Sequence, residues 1–94
     1  MALARVVSFD GVDRERMKEL EGELRQGEPP EGVPASEIIV LHDPGAERSL
    51  VILFFASEDD YQQGDATLNA MPAGDTPGRR ASVTKYEVAV RMTA

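Results

Sequence analysis

Ninety-four residues, 41% hydrophobic and 29% charged, make one domain over residues 1–94 that buries roughly 60–70% of its unfolded surface. There is no cysteine, which excludes disulfides, thiolate metal sites and a cysteine nucleophile. A net charge of −7, from 17 acidic and 10 basic residues, repels nucleic acid and anionic membrane, so neither is an expected partner.

Met1 to Phe9 holds one basic residue and no long apolar run, so no signal peptide or membrane span is expected and the default location is cytoplasmic. Leu3 to Phe9 alternates as a first strand, with Leu3, Val7 and Phe9 on one face and Ala4, Val6 and Ser8 on the other. Asp10-Gly11 is a turn. Asp13 is the expected N-cap of a first helix, with Val12 and Met17 placed as a hydrophobic staple. Met17, Leu20 and Leu24 give that helix one narrow apolar stripe, and Gly27 is its expected stop.

A Pro- and Gly-containing link from Glu28 to Ala35 leads to a second strand, Glu37 to His42. Asp43-Pro44-Gly45 is a turn and Ser49 to Phe55 a third strand, so the pair forms an antiparallel hairpin. A hairpin symmetrical about that turn sets His42 opposite Ser49 and Leu41 opposite Leu50. Ile38, Val40, Ile52 and Phe54 are expected on one side, and Ile39, Leu41, Val51, Leu53 and Phe55 on the other. Ser57 caps a second helix from about Glu58 to Met71, with Tyr61, Gly64, Leu68 and Met71 on one side and Pro72 closing it. Val83 to Met92 is the expected last strand, with Tyr86, Val88, Val90 and Met92 as its apolar face.

The order is β-α-β-β-α-β, a ferredoxin-like α+β arrangement of an antiparallel sheet with two helices on one face. Two helices cover one face, yet the hairpin is apolar on both. A monomer would leave a sheet-sized apolar patch in water, so a homodimer packed sheet against sheet is expected.

Phe9-Asp10-Gly11 after the first strand, the acidic helix, the hairpin turn Asp43-Pro44-Gly45 and the passage Phe55-Ala56-Ser57-Glu58-Asp59-Asp60 resemble the dimeric α+β barrel superfamily. The closest branch is the antibiotic biosynthesis monooxygenase-like proteins. The resemblance implies a homodimer whose sheets close into a barrel, with a cavity in each subunit between sheet and helices. It also implies cofactor-independent chemistry on polyketide-type aromatics as one activity of the group. The Asn-Trp-His trio of the haem-degrading branch has no counterpart, because the chain lacks tryptophan and offers Ser8 in place of the asparagine.

His42 is the only histidine and so the one candidate general base of any histidine-dependent mechanism. A Ser49–His42–Asp43 triad is disfavoured, because adjacent strand residues point to opposite faces. Glu58-Asp59-Asp60 is explained by the helix macrodipole, and no metal or cofactor is expected. Gly74 to Arg80 has glycines and two arginines, Arg79 and Arg80, and is a candidate anion holder, but it lacks phosphate-loop spacing and leads into a strand, so a surface loop is the expectation. An amino-acid-binding regulatory domain would carry an acid-x-Pro-Gly turn where Asp10-Gly11-Val12-Asp13 stands.

Phe55, Tyr61, Leu68, Asn69, Met71 and Tyr86 are the expected pocket residues, since tyrosine and asparagine place single hydrogen bonds in apolar sites. The functional expectation is a small dimeric barrel protein with an apolar cavity for a small apolar or aromatic ligand and no assembled catalytic site. The alternative is a cofactor-independent monooxygenase using His42, Tyr61 and Asn69.

Overall fold

A computed structural model describes residues 2–24, 31–70 and 77–93. Strand β1 (Leu3–Asp10) leads to helix α1 (Arg14–Leu24), and β2 (Glu37–Asp43) pairs with β3 (Arg48–Phe55). Helix α2 (Glu58–Asn69) and strand β4 (Arg79–Glu87) complete the chain. The four strands form one antiparallel sheet in the order β2-β3-β1-β4, which with the two helices is a ferredoxin-like α+β fold. Among the described residues no helix is long and apolar enough to cross a membrane.

Both helices start where their caps predict. Asp13 Oδ1 accepts the Arg16 amide at 2.8 Å, and Val12 and Met17 sit together in one buried cluster, as a staple requires. Ser57 Oγ accepts the Asp60 amide at 3.2 Å from an extended backbone, the geometry of an N-cap. Gly27, Met71 and Pro72 lie outside the described residues, as does the side chain of Leu24.

The hairpin takes the expected register, with His42 opposite Ser49 and Leu41 opposite Leu50. That same register corrects the expected face assignment. Directly opposed residues share a face, so Ile38 and Val40 stand with Leu53 and Val51, and Ile39 stands with Ile52. Odd positions of β3 therefore share a face with even positions of β2. Through β1 the inner, helix-covered face gains Leu3, Arg5, Val7 and Phe9, opposite Phe55, Leu53, Val51 and Ser49.

The inner face carries two buried clusters. Met17 and Leu20 of α1 join Val7, Phe9 and Val12, while Tyr61 of α2 joins Leu3, Val33, Leu53 and Phe55. Val51 packs against both. Helix α2 lies close enough for its Gly64 to meet Phe55. A Cβ there would stand 2.5 Å from a Phe55 ring carbon, which is why this helix position is glycine.

Strand β4 corrects the expected span of Val83 to Met92. The alternation through Val88, Val90 and Met92 looks like strand, but β1 runs out at Leu3, and past the ladder Val88 N–H donates to the Ala2 carbonyl at 3.0 Å. Beyond it Arg91 crosses the outer face, ion-paired with Glu37 and with its guanidinium over the Phe54 ring at 5.1 Å. The outer face is apolar and open. Ile39, Leu41 and Tyr86 are 37%, 49% and 55% exposed there, and beyond the end of β4 Val90 and Met92 lie more open still.

Candidate functional site: a polar seam across the second helix and the sheet

Position 5 of β1 alternates with Leu3 and Val7, so its side chain belongs to the inner face. It is an arginine, and it is buried at 2% exposure between the two apolar clusters. A guanidinium there must be paired, because an uncompensated charge in an apolar surround is costly. Helix α2 supplies the partners from one side. Arg5 Nε donates to Asp65 Oδ1 at 2.8 Å and Nη2 donates to Asn69 Oδ1 at 3.0 Å. Asn69 Nδ2 in turn donates to Asp65 Oδ2 at 3.3 Å, which fixes the amide's orientation.

Strand β4 contributes the other wall. Its pairing with β1 shifts between Ser8 and Phe9, where two steps on β4 oppose one on β1. Without this bulge Arg80 would share the outer face with Ser82. With it Arg80 opposes Phe9 and turns inward, where its Nη1 donates to Asn69 Oδ1 at 2.9 Å. Further along β4, Lys85 Nζ donates to Glu58 Oε1 at 2.5 Å and lies over the Tyr61 ring at 4.9 Å. Glu58, Tyr61, Asp65 and Asn69 thus run along one side of α2 and meet Lys85, Arg5 and Arg80 from the sheet.

The electrostatics follow from these contacts. The hydrogen bond from Lys85 holds the Glu58 carboxyl below its ordinary value of 4.5, against a small opposing effect of burial. Burial, aided by the Asp65 carboxylate, raises the Tyr61 phenol above 10.0, so Tyr61 stays a neutral donor at physiological pH. Tyr61 also meets Phe55 edge to face, with centroids 5.4 Å apart.

The structure brings some of the expected pocket residues together. Phe55, Tyr61 and Leu68 share one cluster, and Asn69 stands at the seam beside it. Phe55 is wholly buried core, while Met71 lies outside the described residues. Tyr86 does not join them. It opposes Ala4 on the outer face, on the far side of the sheet from Tyr61.

His42 is also apart, on the opposite edge strand from Arg80. Its Nε2 donates to the Val12 carbonyl at 2.8 Å, tying β2 to the entry of α1. Ser49 Oγ donates to the Leu41 carbonyl at 2.9 Å, and Asp43 Oδ1 accepts the Ala46 amide at 3.2 Å. Each member of the sequence-level triad is thus bonded to backbone and not to another member. Among the described residues no group of three or more His, Asp or Glu side chains is gathered as for a metal ion.

Arg5 and Asp65 are the site residues that sequence reasoning passed over, while Arg80 was weighed as part of an anion-holding loop and set down as surface. Strand parity alone puts Arg5 on the buried face, and Asp65 and Asn69 at i, i+4 mark a shared helix side. Arg80 carries no such signal, because its direction depends on the bulge. In comparison with known proteins, no family model, no curated protein and no solved structure matches the chain.

Proposed function

We propose that this chain is a homodimeric small-molecule-binding protein of the dimeric α+β barrel kind. Two copies pack outer face to outer face, and each holds a small, largely apolar or aromatic ligand on the inner side at the α2 seam. The observation that carries the reading is the division of the sheet. Apolar side chains stand on both faces, the helices cover one, and Ile39, Leu41 and Tyr86 remain in water on the other. Soluble monomers rarely keep so continuous an apolar surface.

The ligand part of the proposal is supported by Arg5. Small-molecule sites are apolar surfaces with a few fixed polar groups, and a guanidinium oriented by Asp65 and Asn69 between two apolar clusters has that character. Catalysis is not part of the proposal, since His42 stands on the far edge of the sheet from the seam.

Sedimentation tests the dimer. A mass near twice 10.2 kDa at micromolar concentration is expected, and Leu41→Lys, on the exposed outer face, returns it to the monomer without unfolding. A wild-type protein that sediments as a monomer overturns the proposal.

A further inference from the structure

Two guanidinium groups, from different strands, converge on one neutral oxygen. Arg5 Nη2 and Arg80 Nη1 both donate to Asn69 Oδ1, at 3.0 and 2.9 Å. One carboxylate is near, and Arg5 Nε already takes it at Asp65 Oδ1. Among the described residues Arg80 meets no carboxylate at all. Among the described residues Arg5 and Arg80 meet one carboxylate, Asp65, so the pair carries one positive charge in excess, on the exposed Arg80. An amide oxygen is a poor partner for two such groups. A carboxylate accepts from guanidinium forks with shorter, stronger, often paired bonds.

The surface beside this point is apolar. Val83 opposes Val7 on the inner side of β4, between Arg80 and Lys85, and is 38% exposed. An apolar group lying over Val83 would set an attached acidic group beside Arg80.

We infer that the ligand at the seam is a small amphipathic carboxylic acid, with its carboxylate on Arg80, the exposed member of the pair, and its apolar body over Val83. The inference rests on the reading of the seam as a ligand site and names the ligand's chemical class. A monoanion matches the single excess charge, whereas a phosphate dianion overshoots it. Asn69 ties Arg80 to the buried Arg5 and so holds the exposed guanidinium in place for the acid.

Amide chemical shifts of the nitrogen-15-labelled chain, titrated at constant ionic strength, test this. The probes are benzoate, neutral benzyl alcohol and inorganic phosphate. Benzoate is expected to shift Asn69, Arg80 and Val83, and Arg80→Gln to weaken it at least about tenfold. Arg79→Gln removes the same charge next door, opposite Asp10 on the outer face, and is expected to leave binding unchanged. Benzyl alcohol binding there as well as benzoate, indifferent to Arg80→Gln, overturns the acid and keeps the ligand site. Phosphate shifting those amides while benzoate does not overturns the carboxylate. No shift at the seam with any probe overturns both the acid and the ligand site.

Discussion

Replacing Asp65 by alanine and Arg5 by methionine removes the same ion pair from opposite ends, with opposite expected results. Arg5 is buried between two apolar clusters, and the Asp65 side chain is one-third exposed, at 33%. Asp65→Ala leaves the guanidinium buried with Asn69 Oδ1 as its remaining strand-to-helix partner. Breaking a fully buried pair this way costs about 3–5 kcal/mol. The exposure of Asp65 and the surviving Asn69 bond reduce that to about 2–3 kcal/mol. In a domain of this size each kcal/mol moves Tm by about 4–8 °C, so a fall of roughly 10–20 °C is expected.

Arg5→Met instead removes the charge. Methionine is unbranched and adaptable, it joins Leu3 and Val7 on an apolar face, and Asp65 turns to water. The expected change is between zero and about 1 kcal/mol of added stability, because an apolar replacement spares the desolvation of both ions. Urea and thermal unfolding of both single variants and the double variant close the cycle, with the double near Arg5→Met alone. If Arg5→Met destabilises as much as Asp65→Ala does, the buried pair is itself a net source of stability and the reasoning fails.

Gly64→Ala sets helix propensity, worth about 1 kcal/mol to alanine, against a methyl 2.5 Å from the fully buried Phe55 ring. Overpacking costs about 1–3 kcal/mol, so Tm should fall; a rise would show that α2 can lift off Phe55 freely. The Glu58–Lys85 contribution is present above the ordinary carboxyl value of 4.5, because the folded value lies below it. It is lost as pH falls through that lowered value, and Lys85→Met should flatten this part of an acid-unfolding curve. Tyr61 keeps its proton in the fold while the unfolded chain loses it near 10.0, so stability should drop as pH rises above that value. In Tyr61→Phe that alkaline drop should shrink. His42→Ala breaks one hydrogen bond to Val12 and should cost about 1 kcal/mol without changing benzoate binding at the seam. A lost benzoate signal there would bring His42 back into the site.

Much of the fold is written locally. Asp13 and Ser57 are side-chain caps that act within three residues, so their helices begin where the sequence says. The turn at Asp43-Pro44-Gly45 sets the hairpin register for the same reason. Which faces coincide is a relation between strands, and there the expected grouping of Ile38 with Ile52 failed although the register was right. Treating the two strands as independent alternations hides the odd-to-even matching that the turn imposes. The end of β4 was misread because Val88, Val90 and Met92 keep alternating after their partner strand has run out. Periodicity reports what a segment can do, and pairing requires a neighbour.

The seam shows the same division. Arg5 was legible in strand parity, but the apolar alternation of Leu3, Val7 and Phe9 defines that face without it. Arg80 was legible as an arginine of a candidate anion-holding loop, but its direction was not, because one bulge between Ser8 and Phe9 decides whether its charge faces Asn69 or the outer surface. That bulge bears on function as well. A regular β1–β4 ladder would send Arg80 outward and leave Arg5 balanced by Asp65 alone, a neutral internal pair. With the bulge a second cation enters, and the balance at Asn69 turns positive. A purely structural tie between α2 and the sheet needs Arg5 and Asp65 only. The second arginine, brought in by a break in strand regularity, adds a tie from β4 to Asn69, and it is the part of the seam on which the proposed acidic ligand rests.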